Sequence, residues 1–568
     1  MAELNVSKKT ISKLLCEMQG RQFIIPDFQR PYKWDIEKCE TLWNDIENFT
    51  VTDAKTGSDY FLGTIVSYND DKKKNLQIID GQQRITSFFL LLRSFYRKLE
   101  DMVEDDDVKG LKNQVAPCIW DVDSISQKVA DKSTIHIKSE VATEEDNEVF
   151  HNILVTGICD ATASDNYSKN FGFFKKSCDE YAAKNPLQWK QLCVNILQKC
   201  IVLPIECDTP ETALTIFSTL NDRGLPLADS DIFKAQIYRN LTTEKIRKDF
   251  TNTWKELTQT CKKANASIDD IFRYYTHVLR ARKNDKTKEV GLRKFYAGTD
   301  NKFERLKQND LMVEIISLAN FWLSANAGIE IEDEDGYIYA ISIEARKYLQ
   351  CLSCYPNEFW RYATSVFFLK NKGIEGFNEI FCEFLKKIIA FLFAKFIEAP
   401  TVNAIKDDIY GACISIQLTN TLEVDITLNE ESISKKIDEY GSTKISRALL
   451  LLDAYLNTNQ VSLIPNSFEV EHIFPRKWQD TNYNGWSIED AKDYLDKFGN
   501  KIVFEKKLNI QAGNGYFGQK KNKYRQSKIA CVLDLSNYPK NDWVKEDIEK
   551  REEIFKVNIL NFFKQQLG

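Results

Sequence analysis

A strand-forming run, Ile78-Ile79, passes through Asp80-Gly81 directly into a helix-forming stretch, Gln82 to about Leu99. Apolar residues in that stretch fall at Ile85, Phe88, Phe89, Leu92 and Phe95–Tyr96, the spacing of one helix face. The backbone must therefore change from extended to helical within two residues, and Asp-Gly is the dipeptide that permits it. Upstream, Phe61–Ser67 is a second β-rich run, and the polar spacer Asn69 to Asn75 predicts a hairpin loop between the two strands. A third compact β-type run, Cys200–Glu206, follows a mainly helical stretch. Residues 1–238 thus read as one α/β domain with a helical insertion over about 105–200.

Beyond it, Leu, Ile, Phe and Tyr recur at helical spacing over 239–455, predicting an all-helical connector. Residues 456–568 return to mixed strand and helix. A chain of 568 residues accommodates several such domains, and the class expected is α+β multidomain. The greasiest run, Phe381 to Phe396, contains Lys386, Lys387 and Lys395. It falls short of the roughly 20 apolar residues a membrane span needs. The N-terminus lacks an apolar signal core, and the 14 cysteines are scattered without a disulfide pattern. A soluble, cytoplasmic protein with no membrane partner is expected. Cys351 and Cys354 have zinc spacing but no second pair, so they read as two cysteines on a helix.

The chain has four histidines, and one has distinctive neighbours. His472 ends a strand-like run, Ser467 to Glu471, with an acid directly before it and Pro475 three residues after it. Successive strand residues point to opposite faces. Glu471 and His472 can therefore share a site only where the strand ends or bends, and Pro475 is consistent with a bend. Gly499-Asn500 then offers a turn into a second strand, and Asn509 and Asn514 follow in a Lys- and Gly-rich stretch. The formal net charge is −6, yet between Asn500 and Lys528 eight basic residues face one acid, Glu505. Such a local excess suits phosphate contact, with Lys506, Lys507, Lys520, Lys521 and Lys523 as candidate DNA-binding residues.

Three clusters mark the N-terminal part. Prolines at 26 and 31 hold Gln29 and Arg30 on extended or turning backbone. In Asp80-Gly81-Gln82-Gln83-Arg84, the N–H groups of the helix start favour an anion and Arg84 adds a guanidinium suited to phosphate. A turn rich in Asn, Asp and Gly carries Asn221 and Arg223, with Lys234 after it. No Gly-x-x-x-x-Gly-Lys-Ser/Thr string occurs, so a P-loop is excluded.

The Glu-His-x-x-Pro, Gly-Asn and Lys-flanked Asn series resembles the HNH (His-Me finger, ββα-metal) nuclease motif. Together, the N-terminal clusters resemble the DGQQR domain of the GmrSD-type, type IV restriction family, whose fold is ParB/sulfiredoxin-like. The resemblance covers about residues 10–235 and 461–530. It implies that His472 is a general base, that Glu471 and Asn509 (or Asn514) hold one Mg²⁺ or Mn²⁺, and that Asn500 braces the histidine loop. It further implies a nucleoside triphosphate pocket built from Gln29, Arg30, Asp80, Gly81, Gln82, Gln83 and Arg84, closed by Asn221, Arg223 and Lys234. The function expected is an NTP-regulated, modification-dependent DNA endonuclease acting against phage. The alternatives are a DNA-modification sensor that does not cleave and an RNase-type toxin. Homo-oligomerisation stays open.

Overall fold

The computed structural model describes residues 4–52, 57–70, 75–126, 128–209, 212–213, 216, 228–299, 302–333, 335–400, 405–437, 439, 445–480 and 486–568. They form two compact units, residues 1–252 and 253–568.

In the first unit seven strands make one mixed sheet. They are β1 (Leu4–Val6), β2 (Lys9–Thr10), β3 (Phe23–Ile25), β4 (Tyr60–Asp70), β5 (Asn75–Asp80), β6 (Ile137–Ser139) and β7 (Cys200–Cys207). The order is β1-β7-β4-β5-β3-β6, with β2 also on β7. As the polar spacer predicts, β4 and β5 pair antiparallel, with Asp70 opposite Asn75. The pairs β4–β7, β3–β5 and β3–β6 are parallel. On the outer side of β7, Val6 pairs with Ile205 and Lys9 with Val202. The edge therefore breaks into two short strands opposite Leu203-Pro204, where proline has no N–H to donate.

Among the described residues seven helices precede β7, namely α1 (Ile11–Cys16), α2 (Ile36–Thr52), α3 (Gln82–Glu100), α4 (Asp106–Ile119), α5 (Glu144–Thr156), α6 (Asn166–Lys184) and α7 (Trp189–Gln198), and the Asp229–Asn240 helix follows it. Helix α3 is central, and every residue from Ile85 to Phe95 is buried. Helices α4, α5 and α6 all pack on it. The segment expected as an insertion is thus part of the domain core, and it adds β6 to the sheet edge beside β3. Burying Leu, Ile, Phe and Val side chains contributes about 1.5–3 kcal/mol each, so α4–α6 cannot be an optional appendage.

The second unit is mostly helical up to Leu456, apart from one short hairpin, β8 (Ile331–Glu332) with β9 (Ile338–Tyr339). Helix Phe377–Glu398 carries the greasy run and is buried among the Ile343–Ser353, Glu430–Ile437 and Lys545–Leu567 helices. It is a core helix, and among the described residues no helix is long and apolar enough to cross a membrane. Helix Ser446–Leu456 packs on the C-terminal strands. The expected connector and the C-terminal segment therefore form one unit. In that unit β10 (Phe468–His472) pairs antiparallel with β11 (Lys501–Glu505), and helix Lys506–Ala512 follows at once. Cys351 is buried on helix Ile343–Ser353 and Cys354 is its C-cap.

Candidate active site

His472 is the last residue of β10, opposite Lys501 at the start of β11. Because the strand ends there, Glu471 and His472 line the same cavity, of about 540 Å³, despite being neighbours. Arg476, Asp496, Lys501, Asn509, Asn514 and Lys520 line it too.

The loop after His472 is held by Asn500, which is fully buried. Its Oδ1 accepts the Phe474 N–H at 2.7 Å, and its Nδ2 donates to the carbonyls of Phe474 (3.1 Å) and Leu495 (3.0 Å). The Ile473 N–H also donates to the Asn500 carbonyl. Gly499, just before it, meets the C-terminal helix. A Cβ there would lie 2.0 Å from the Ile548 carbonyl oxygen, so only glycine fits. From the same helix, Glu552 accepts the Gly499 N–H and Arg551 donates to the carbonyls of Phe498, Gly499 and Lys501.

Electrostatics set the protonation of the site. Burial, together with the Lys501 and Arg476 cations, pushes the His472 imidazole down to about 3, against the opposing pull of Asp496. His472 is therefore neutral near pH 7. Its Nε2 lies 3.4 Å from Arg476 Nε and 3.7 Å from Asp496 Oδ1. Asp496 in turn receives Lys501 Nζ at 2.6 Å.

Glu471 is buried and its Oε1 accepts from Lys520 Nζ (2.7 Å) and the Tyr524 hydroxyl (2.8 Å). Lys520 Nζ also donates to the His472 carbonyl at 2.7 Å. Burial raises the Glu471 carboxyl above its ordinary range and lowers the Lys520 ammonium, while their mutual attraction opposes both shifts. Both bonds to Glu471 fall on one oxygen, and a carboxylate offers about four lone-pair positions. Asn509 and Asn514 line the same cavity, and a carboxylate with side-chain amides is the kind of donor set that suits a hard divalent cation.

Two of the five lysines expected to meet DNA are buried instead. Lys520 is the partner of Glu471, and Lys521 donates to the carbonyls of Tyr538 and Lys540. Their ammonium groups satisfy interior acceptors and do not form a surface patch. Lys506 and Lys507 are exposed at the start of the Lys506–Ala512 helix, and half-buried Lys523 donates to Gln511. Arg476, Asp496 and Lys501 were missed as site residues. Arg476 lies four residues after His472 and could have been found from that spacing alone. Asp496 had no local signal.

In the first unit the strand-to-helix junction forms where the sequence placed it. Gly81, at φ 91°, is the α3 N-cap, and a Cβ there would press on Ile65 and the Thr64 carbonyl. Gln29, Arg30, Asp80, Gln82, Gln83, Arg84 and Lys234 gather around it. Gln29 donates to the Ile79 carbonyl and accepts from Gln82, and Gln83 accepts the Lys33 N–H while donating to the Pro31 carbonyl. Arg84 donates to the Thr64 carbonyl and lies against Gly63. Lys234 Nζ donates to the carbonyls of Asp27 and Gln29. Burial raises the Asp80 carboxyl, while the Gly81 N–H, Arg84 and Arg30 hold it down. Arg30 Nε is buried without a hydrogen-bond partner, so this cation-rich corner keeps a donor for an anion. Asn221 and Arg223 lie outside the described residues.

A chain with a strand–Asp-Gly–helix junction at one end and a histidine-ended strand pair at the other fits a two-domain restriction enzyme. Residues 11–238 match the family model of the GmrSD restriction endonuclease N-terminal domain, and residues 424–556 match that of the C-terminal domain. The chain belongs to the GmrSD family of type IV restriction endonucleases, DNA-cleaving enzymes of defence against phage. No curated protein matches it. The C-terminal match starts upstream of the Glu430–Ile437 helix and takes in the Ser446–Leu456 helix, which packs on β11.

Proposed function

We propose that this endonuclease cleaves phosphodiester bonds by a one-metal HNH mechanism, and that a nucleoside triphosphate bound in the first unit regulates it. The observation that carries the reading is the shared cavity of Glu471, His472 and Asn509, with Asn500 bracing the loop between. His472 is the general base. Its neutral Nε2, which lies beside Arg476 Nε, takes a proton from a water seated in that guanidinium's place. Arg476, so displaced, turns its charge to the scissile phosphate. Glu471 and Asn509, with Asn514 as the alternative amide, would hold Mg²⁺ or Mn²⁺, which when bound supplies charge stabilisation at the phosphate and leaving oxygen. Lys506, Lys507 and Lys523 contribute charge to DNA binding.

In the first unit Arg30, Arg84 and Lys234 face a nucleotide's phosphates, and the Gln29, Gln82 and Gln83 amides fix the loop that forms the pocket wall. The substrate proposed is modified phage DNA, in keeping with membership of a type IV restriction family. The test incubates modified and unmodified phage DNA with Mg²⁺ and each NTP. His472→Ala should abolish cleavage, and Arg84→Ala should remove the NTP effect while leaving the metal-dependent step. Cleavage that persists in His472→Ala rejects this site.

A further inference from the structure

A second cavity, of about 660 Å³, lies in the same unit and takes no part in the reaction described above. Three arginines line it, Arg346, Arg361 and Arg447, and among the described residues no Asp or Glu lines it. Two of the three also serve the fold. Arg346 donates to the Ala325 carbonyl at the end of a helix, and Arg447 donates to the Phe468 carbonyl. Arg361 does not fit that account. Its guanidinium sits 4.8 Å and 4.7 Å from the ring centres of Trp322 and Trp360, and its Nε is buried without a hydrogen bond. That Nε lies 3.7 Å from Oε1 of Glu358, an ion pair longer than a hydrogen bond to a largely exposed carboxylate. A stacked guanidinium whose Nε lacks a hydrogen bond, and whose ion-pair partner is a largely exposed glutamate, keeps donors for an anion in a cavity lined by two further arginines.

Position says which anion. Phe468 and Arg447 line this cavity, while their chain neighbours Glu469 and Ser446 line the catalytic one. Arg447 Nη1 lies 3.8 Å from Glu469 Oε2, so this pair stands at the border of the two cavities. A chain of phosphates with one member at His472 would meet the arginines next.

We propose that this arginine cavity is a phosphate-holding subsite for the nucleic-acid strand whose scissile bond lies at His472. It rests on the cleavage reading only for the strand's placement. Ser353 is exposed on the cavity wall and bonds only to its own helix, so Ser353→Glu adds a negative charge there without touching an arginine. The test measures binding of a fluorescent DNA oligonucleotide to the full chain in EDTA over a range of salt. In parallel it follows Mg²⁺-dependent hydrolysis of bis(p-nitrophenyl) phosphate, which is too small to span both cavities.

Ser353→Glu should weaken oligonucleotide binding about tenfold and lower the salt slope by about one, with hydrolysis of the small ester unchanged. Arg361→Gln should do the same, and if it fails to fold the Ser353 variant decides alone. Unchanged oligonucleotide affinity in Ser353→Glu overturns the subsite. So does a result in which the variant loses binding of a free mononucleotide but keeps that of the oligonucleotide. If the wild-type chain fails to hydrolyse the small ester while oligonucleotide binding still responds to Ser353→Glu, the catalytic reading falls and the subsite stands.

Discussion

Lys520 Nζ lies 2.7 Å from Glu471 Oε1, and both side chains are almost completely buried. Removing one partner of such a pair leaves an uncompensated charge in the interior, at a cost of about 3–5 kcal/mol. Lys520→Met should therefore lower the melting temperature sharply, and adding Glu471→Gln should recover most of the loss. A single variant as stable as wild type would show that Glu471 is not held as a carboxylate by this lysine.

Asn500 predicts a separation of stability from chemistry. Asn500→Ala strands the Phe474 N–H and two carbonyls in the interior, and each buried unsatisfied group costs about 1–3 kcal/mol. Denaturant midpoints should fall for Asn500→Ala. They should stay near wild type for Asn509→Ala, a half-exposed residue on the cavity wall, whose loss should appear in Mn²⁺ affinity measured by calorimetry.

The pH dependence follows from His472. Its folded pKa is depressed from 6.5 to about 3, so the neutral form, the one the proposed general-base role requires, persists well into acid. The free enzyme's kcat/KM should show no acid limb near pH 6.5. The sign for stability is the same: the unfolded chain takes up this proton first. The contribution is complete above pH 6.5 and is lost as pH falls towards 3. A rate profile that halves near pH 6.5 would contradict the burial of this imidazole.

Gln83 clamps the Pro31–Lys33 backbone from the first turn of α3. Gln83→Ala should speed amide exchange at Lys33 by at least tenfold, measured by hydrogen exchange, and should weaken NTP binding through the loosened loop. Exchange at Lys33 that stays slow would place the restraint in the bonds of Asn170, which donates to the Tyr32 hydroxyl and the Trp34 carbonyl.

Where the governing contacts are local, the sequence was readable. Asp80-Gly81 forces one turn, and Glu471-His472 with Pro475 forces another, so both junctions stand where the residues put them. Charge was harder to read. Counting lysines between 500 and 528 cannot distinguish a solvated ammonium from Lys520, which is drawn inward by a carboxylate 49 residues earlier in the chain. Strand β6 was missed because three residues, Ile137–Ser139, carry too little alternation to announce a strand; only pairing with β3 defines it. The roles of Arg551 and Glu552 arise from contacts about 50 residues apart, and no window of sequence contains both ends.

Gly499 is where this distance matters most. The short turn that presents Asn500 is wedged against the Lys545–Leu567 helix, so the proposed nuclease motif is not a portable cassette. Transplanted as residues 468–524 into another scaffold, it would carry its chemistry but leave its abutment behind. Lineages that shuffle this activity between proteins would have to move the closing helix with it.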